Sequence, residues 1–333
     1  MRMFQKLRVR IKSMARWENS SIKLLGVIEI ILGVALLVPV LIASIYGEDL
    51  TLFVYPIPVL LSMGIFQYIF FKSGKTMNPA SGMMMIFTAW WVAFFVSAIP
   101  FYLYGFSFVD SLFEGVSGFT TTGASVIHHS ALPRSMVFWS SFTQWAGGIA
   151  VVLIFLFLIP MMGIGGKAFV ENELAGSGTY KFSMRIKNSA KNFISIYVLL
   201  SAVETILLMF SGIGPFESVT MMLSTISTGG FIGSGNIDDY SFAVQTIILV
   251  FMFMGGTNFY LHYRAFKKRE FFAYRKSQEF IWTVILFLTA AAVLLGILLI
   301  NTEDLLAFDA GDTVWTALFT AVSMGTTTGY TIA

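Results

Sequence analysis

Apolar residues gather along this chain into seven runs long enough to cross a bilayer, at 22–46, 52–71, 82–104, 136–162, 190–211, 242–263 and 279–300. A helix needs roughly 20 such residues to span the hydrocarbon core. Three shorter apolar runs, near 110–120, 215–226 and 313–326, follow the third, fifth and seventh long ones. At about 1.5 Å per residue each reaches halfway through the core. Irregular backbone after a half-length helix is tolerated at membrane depth only where it is buried in protein or lines a cavity. The pattern predicts an all-α polytopic membrane protein. Its period is span, half-helix, pore loop, span, repeated in parallel around a central ion pore and preceded by two extra transmembrane helices. The chain then divides into residues 1–76 (basic N-terminal segment and the extra pair), 77–166 (first pore repeat), 167–276 (second repeat with cytoplasmic loops) and 277–333 (an incomplete third repeat).

Charge orients this array. With the N-terminus cytoplasmic, 20 of the 21 basic residues lie inside or at the inner edge: the cluster Arg2 to Arg16, Lys23, Lys72, Lys75, Lys167 to Lys191, and Arg264 to Lys276. Only Arg134 falls outside, the bias that positive-inside topology requires. The outer segments carry Glu48, Asp49, Asp110, Glu114, Glu217, Asp238, Asp239, Glu303, Asp304, Asp309 and Asp312. An acidic outer face concentrates cations, although outer loops need polar residues of some kind in any case. The apolar run after Ser21 is too long for the core of a signal peptide, so it reads as a retained span. Composition agrees with a multi-pass plasma-membrane protein: 56% of residues are hydrophobic, 12% are charged and the mean hydropathy is +0.79. The pI near 9.0 comes from these loop residues and does not indicate a nucleic-acid partner.

The half-helices share an ending. Thr121-Thr122-Gly123, Ser227-Thr228-Gly229 and Thr327-Thr328-Gly329 close the three short runs, their glycines 106 and 100 positions apart. Aligned on glycine, both preceding columns hold hydroxyl residues in every copy. Phe113, Phe216 and Phe319 fall upstream as packing anchors. Consecutive carbonyls can face one axis only if the backbone leaves ordinary strand geometry, which glycine permits through positive φ. Threonine adds a carbonyl and a hydroxyl oxygen. The half-helix C-terminus brings partial negative charge. These are oxygen ligands for a hard monovalent cation, so K+ is expected at the nine residues just named. No carboxylate ring lies within the motif, which disfavours calcium.

Other chemistries lack their residues. Without cysteine there is no disulfide, thiolate site or thiol nucleophile, and His128, His129 and His262 show no zinc-binding spacing. Asp309 and Asp312 fall in a predicted outer loop, unlike the membrane aspartates of an intramembrane protease. His128 and His129 follow Ser125 within one outer loop, not on a separate span. An enzyme is therefore not expected. There is no GxGxxG after a strand and no Walker A loop, so no nucleotide site. The alternative is a secondary transporter with discontinuous helices carrying another cation such as sodium, which would be expected to show inverted repeats.

The stretches Ser117–Ser125, Gln144-Trp-Ala-Gly-Gly148, Ser227–Phe231, Gly255–Tyr263 and Ser323–Tyr330 resemble the Trk/Ktr/HKT superfamily of potassium transporters, in particular its TrkH-like branch. The resemblance covers essentially the whole chain. It implies four pseudo-repeats around one pore and filter glycines that favour potassium over sodium. It also implies a homodimer, a cytosolic ring of nucleotide-binding regulatory subunits, and transport by channel or symport. The expectation from that resemblance is that residues 1–333 lack the inner helix of the third repeat and a fourth repeat, and do not support potassium uptake alone.

Four features outside the motif carry separate expectations. Glu29 reads as a structural partner of Lys23, and Glu204 as an open functional candidate within a span. His262, beside Tyr263 and Arg264, reads as a cytoplasmic-edge anchor. Gly147-Gly148 reads as a site of close helix approach beside the pore, and Met161–Gly166 as an elbow or helix stop.

Overall fold

The computed structural model describes residues 19–72, 79–161, 178–233, 236–301 and 310–332. The basic cluster Arg2 to Arg16, Lys75, the glycine run 162–166, Lys167, Glu303, Asp304 and Asp309 lie outside them. All regular structure among the described residues is helical. The elements are α1 (Asn19–Ala35), α2 (Leu37–Tyr46), α3 (Thr51–Val54), α4 (Pro56–Phe70), α5 (Pro79–Tyr104), α6 (Phe108–Phe119), α7 (Arg134–Met161), α8 (Gly178–Phe210), α9 (Pro215–Ile226), α10 (Phe242–Gly255), α11 (Phe259–Lys268), α12 (Ala273–Lys276), α13 (Gln278–Asn301) and α14 (Ala310–Gly325). The short runs are indeed the half-length helices α6, α9 and α14. Among the described residues six stretches are long and apolar enough to cross a membrane, α1–α2 and α3–α4 each counting as one, and the pair α10–α11 makes a seventh only if taken together.

That pair is not the straight span expected at 242–263. It bends by 106° between Gly255 and Phe259. Packing forces the break. A Cβ on Gly255 would stand 2.6 Å from the Ile226 carbonyl oxygen, and one on Gly256 2.7 Å from the Thr326 side chain, so neither position has room for a side chain. Asn258 then caps α11, its Oδ1 accepting the Tyr260 N–H at 3.0 Å. His262 secures the bend and is no edge anchor. It is 2% exposed, with Nε2 at 2.9 Å from the Thr257 hydroxyl and 3.0 Å from the Met254 carbonyl, and Nδ1 at 2.7 Å from the Tyr274 hydroxyl.

Contacts divide the chain into two compact units. The first is Met1–Val116, Pro133–Trp139 and Ile154–Gly178. Here α1 crosses α4 at Gly26 and Gly64, where a Cβ on either would stand 2.7 or 2.6 Å from the other's carbonyl oxygen. This small-residue crossing brings Gln67 against the buried Glu29. Gln67 Nε2 donates to both carboxylate oxygens at 3.1 and 3.0 Å. Lys23 does not pair with Glu29 but lies over the Tyr68 ring, 4.3 Å from its centroid. Glu48 caps the start of α7 by accepting the backbone N–H groups of Arg134 and Ser135 at 2.7 and 2.9 Å. A carboxylate there complements the positive end of the helix.

The second unit is Ser117–Leu132, Ser140–Leu153 and Thr179–Ala333, and it holds all three Thr-Gly segments. The middle of α7 runs behind the first segment. A Cβ on Gly147 would stand 2.1 Å from the Phe119 carbonyl oxygen, and one on Gly148 2.8 Å from the Tyr197 hydroxyl. The close approach expected at Gly147-Gly148 is therefore present. Phe113, Phe216 and Phe319 do not share one packing role: Phe319 is fully buried, Phe216 is half-buried and Phe113 is 42% exposed.

Candidate ion filter

Each half-helix ends in one and the same cap. The Thr121 N–H donates to the Gly118 carbonyl at 3.0 Å, and the Thr122 N–H to Ser117 at 3.0 Å. Thr228 and Gly229 repeat this with Thr225 and Ser224 at 2.9 and 2.8 Å. Thr327 and Thr328 repeat it with Met324 and Ser323 at 3.1 and 2.9 Å. This is a Schellman ending, which places the first residue past the helix in the left-handed region and usually employs glycine there. Here that residue is threonine every time: φ is +53° at Thr121, +53° at Thr228 and +62° at Thr327. A β-branched residue with positive φ is a conformational outlier costing roughly 1–2 kcal/mol. Such strain persists only where the surroundings hold it, and it clusters at functional sites.

The caps fix the register, and the register corrects the alignment on glycine. Two residues after each strained threonine comes a glycine with positive φ: Gly123 (+74°), Gly230 (+78°) and Gly329 (+82°). The counterpart of Gly123 and Gly329 is thus Gly230, not Gly229. Gly229 shares a column with Thr122 and Thr328, Thr228 with Thr121 and Thr327, and Ser227 with Thr120 and Thr326. The serines Ser117, Ser224 and Ser323 also fall into one column. Alignment on that serine would have revealed the shift in the sequence. The strained threonine has no local signal, because glycine is what a Schellman cap predicts.

The segments interlock. A Cβ on Gly123 would stand 2.1 Å from the Gly229 carbonyl oxygen, and one on Gly230 1.8 Å from the Thr328 carbonyl oxygen. In each case the glycine of one segment lies against the carbonyl one residue before the glycine of the next. Gly329 has nothing within 4 Å at the same position. All three half-helix C-termini, with their partial negative charge, end on this cluster. Further oxygen comes from the hydroxyls: Thr120 Oγ1 lies 2.7 Å from Thr122 Oγ1, and Thr326 Oγ1 lies 2.8 Å from Thr328 Oγ1. The nine residues predicted as a site thus come together in one unit, joined by Gly230, which the alignment passed over.

Two neighbouring groups complete the surroundings. Glu204 of α8, fully buried, sits beside Thr225 of α9 and close to Tyr330. His129 lies in a short turn beyond the first segment and stacks on Phe231, ring centroids 4.4 Å apart. Burial lowers its pKa to about 4.

The chain is similar to known proteins over nearly its whole length. The family described as "TrkH: Cation transport protein" matches residues 62–333. The Trk system potassium uptake protein TrkH of Vibrio parahaemolyticus serotype O3:K6 is 30% identical over 94% of this chain and 66% of that protein. The protein of the same name from Escherichia coli K12 is 28% identical over 93% of this chain and 65% of its own length. An uncharacterized cation transporter of Methanocaldococcus jannaschii is 29% identical over 92% of this chain and 61% of its own length. The crystal structure of the potassium transporter TrkH from Vibrio parahaemolyticus superposes with a TM-score of 0.80 at 26% identity, covering 94% of this chain and 65% of that one. The chain spans about two-thirds of the length of these relatives.

Proposed function

Because the chain belongs to the TrkH family of cation transport proteins, we propose that it builds the pore wall of a potassium uptake system, with K+ passing the three Thr-Gly segments. The observation that carries this reading is the threefold repetition of one strained cap. Three threonines with positive φ, each two residues before a glycine with positive φ, interlock carbonyl against glycine at the ends of three half-helices. Strain repeated three times in register needs a function, and dehydrating a cation is one that rigid backbone oxygens perform. The oxygens of Thr121, Thr122, Gly123, Ser227, Thr228, Gly229, Thr327, Thr328 and Gly329 take the place of the ion's water, with Gly230 giving the second segment its turn. Carriage of another cation by a secondary transporter has less support, since the relatives' names specify potassium uptake.

The family resemblance carries the remaining proposals. These are a homodimer in the plasma membrane, a cytoplasmic N-terminus, and a cytosolic nucleotide-binding regulatory subunit as partner. The test of function is uptake of rubidium, a potassium tracer, by host cells without potassium uptake of their own that express residues 1–333 within a full-length TrkH-family protein. Uptake should be suppressed by excess K+ and little affected by equal Na+. Equal suppression by both ions would overturn the filter reading.

A further inference from the structure

The three segments are braced differently, and the difference singles out Gln144. In the first and third, the column just before the filter glycine holds threonine, whose hydroxyl meets that of the residue two earlier (Thr120 with Thr122, Thr326 with Thr328). The upstream serine also closes the loop, Ser117 Oγ donating to the Ala124 carbonyl and Ser323 Oγ to the Tyr330 carbonyl. The second segment has neither brace. Gly229 stands in the threonine column and has no side chain. The buried Ser224 hydroxyl donates to no carbonyl of its own segment and lies beside the Tyr330 hydroxyl of the third, and the Ser227 hydroxyl donates back to Leu223 at 2.7 Å.

Gln144 of α7 fills that space. It is fully buried. A Cβ on Gly229 would stand 2.4 Å from Gln144 Cδ and 2.6 Å from its Oε1. The amide Nε2 donates to the Gly229 carbonyl at 2.7 Å, and Oε1 accepts the Phe231 N–H at 3.4 Å. One side chain therefore spans Gly230 from both sides. The carbonyl it holds is the one that lies against Gly123 of the first segment.

The second repeat supplies an internal control. Gly147 of α7 and Gly255 of α10 stand on equivalent carbonyls, those of Phe119 and Ile226, each the last residue of its half-helix. The counterpart of Gln144, three residues before the glycine in each helix, is therefore Met252, which is also fully buried. The same equivalence assigns it to the third segment, which Gly256 of α10 meets at Thr326 as Gly148 of α7 meets Ser227, and there Thr328 has its own hydroxyl brace. Glutamine goes with glycine in the filter, and methionine with threonine.

We infer that Gln144 is the positioning residue of the second filter segment, standing in for the threonine side chain that the other two carry. This rests on the filter reading above. It predicts that two harmful changes repair one another. Gly229→Thr alone forces a side chain into space that Gln144 occupies, and K+-selective uptake should fall at least tenfold. Gln144→Met alone leaves the Gly229 carbonyl and Phe231 N–H without their bonds, and discrimination of K+ from Na+ should fall severalfold. The double variant Gln144→Met/Gly229→Thr reproduces the combination that the equivalence assigns to the third segment, Met252 with Thr328, and should recover discrimination to within about threefold of the parent.

Rubidium uptake with K+ or Na+ competition, in the potassium-uptake-deficient host, reads all four proteins. Equal amounts of monodisperse protein extracted from the membrane establish that each folds. A selective parent together with a double variant no better than the worse single one would overturn the role of Gln144 alone. A parent without preference for K+ would overturn the filter reading and this inference with it.

Discussion

Gly230→Ala is the sharpest test of the corrected register, and its natural control is Gly229→Ala one position earlier. At Gly230 the new Cβ would lie 1.8 Å from the Thr328 carbonyl oxygen, whereas real Cβ contacts essentially never fall below 3.0 Å. The obstacle is backbone in the next segment, so that segment must retreat or the second must unwind. The φ of +78° adds a penalty of roughly 1–2 kcal/mol for any L side chain. Forcing a methyl into close-packed surroundings costs typically 1–3 kcal/mol more. If the sum of about 2–5 kcal/mol is drawn from the ion site, the loss is on the order of 30-fold to several thousandfold in transition-state or ground-state affinity for K+. At Gly229 φ is not positive, and the new Cβ meets the side chain of Gln144, which can shift. A penalty near 1 kcal/mol and a loss of about tenfold or less should follow. The assay is the K+ concentration giving half-maximal rubidium uptake, together with Na+ competition, normalised to protein in the membrane. Gly229→Ala proving the more harmful of the two would refute the register. So would a Gly230→Ala protein with undiminished discrimination.

Gly123→Ser should weaken discrimination of K+ from Na+ through the same contact. Its Cβ would stand 2.1 Å from the Gly229 carbonyl oxygen, and unchanged bi-ionic reversal potentials in well-inserted protein would count against it. A cysteine introduced at Asp239 should react with an impermeant thiol reagent added outside intact cells, and one at Lys268 should not; the chain has no native cysteine to confuse the result, and the reverse pattern would invert the topology. The turn at His129 should loosen in acid. Burial lowers its folded-state pKa from 6.5 to about 4, so the unfolded form binds more protons between these values. Stability therefore declines as pH falls from about 6.5 to about 4, by as much as about 3 kcal/mol of local free energy. Amide exchange over residues 127–132 should rise between pH 7 and pH 5 beyond the intrinsic pH effect, and His129→Phe should remove the rise.

Much of this protein is written in local pattern. A run of apolar residues in a bilayer must be helical, because no other structure in a single segment satisfies its own backbone, so run length alone determined the long helices and the half-helices. The threefold Thr-Gly ending was legible because one motif closes three half-length runs, its glycines 106 and 100 positions apart. Other features depend on which atoms meet across the fold. Neither α10–α11 nor Glu29 could be read correctly from its own neighbourhood. The apolar run 242–263 is continuous, but Gly255 and Gly256 bend it because the Ile226 carbonyl and the Thr326 side chain lie against them. Glu29 is closer in sequence to Lys23 than to Gln67, yet the crossing at Gly26 and Gly64 gives it Gln67.

The filter register shows the division most plainly. In the sequence Gly229 and Gly230 are two glycines in a row, and nothing local distinguishes them. Their difference is tertiary: one faces Gln144 and the other the Thr328 carbonyl. Sequence by itself determined that three half-helices end in backbone oxygen. Tertiary structure decided which glycine turns and which side chain holds it, because a contact between residues 85 or 98 positions apart has no signature in either segment alone.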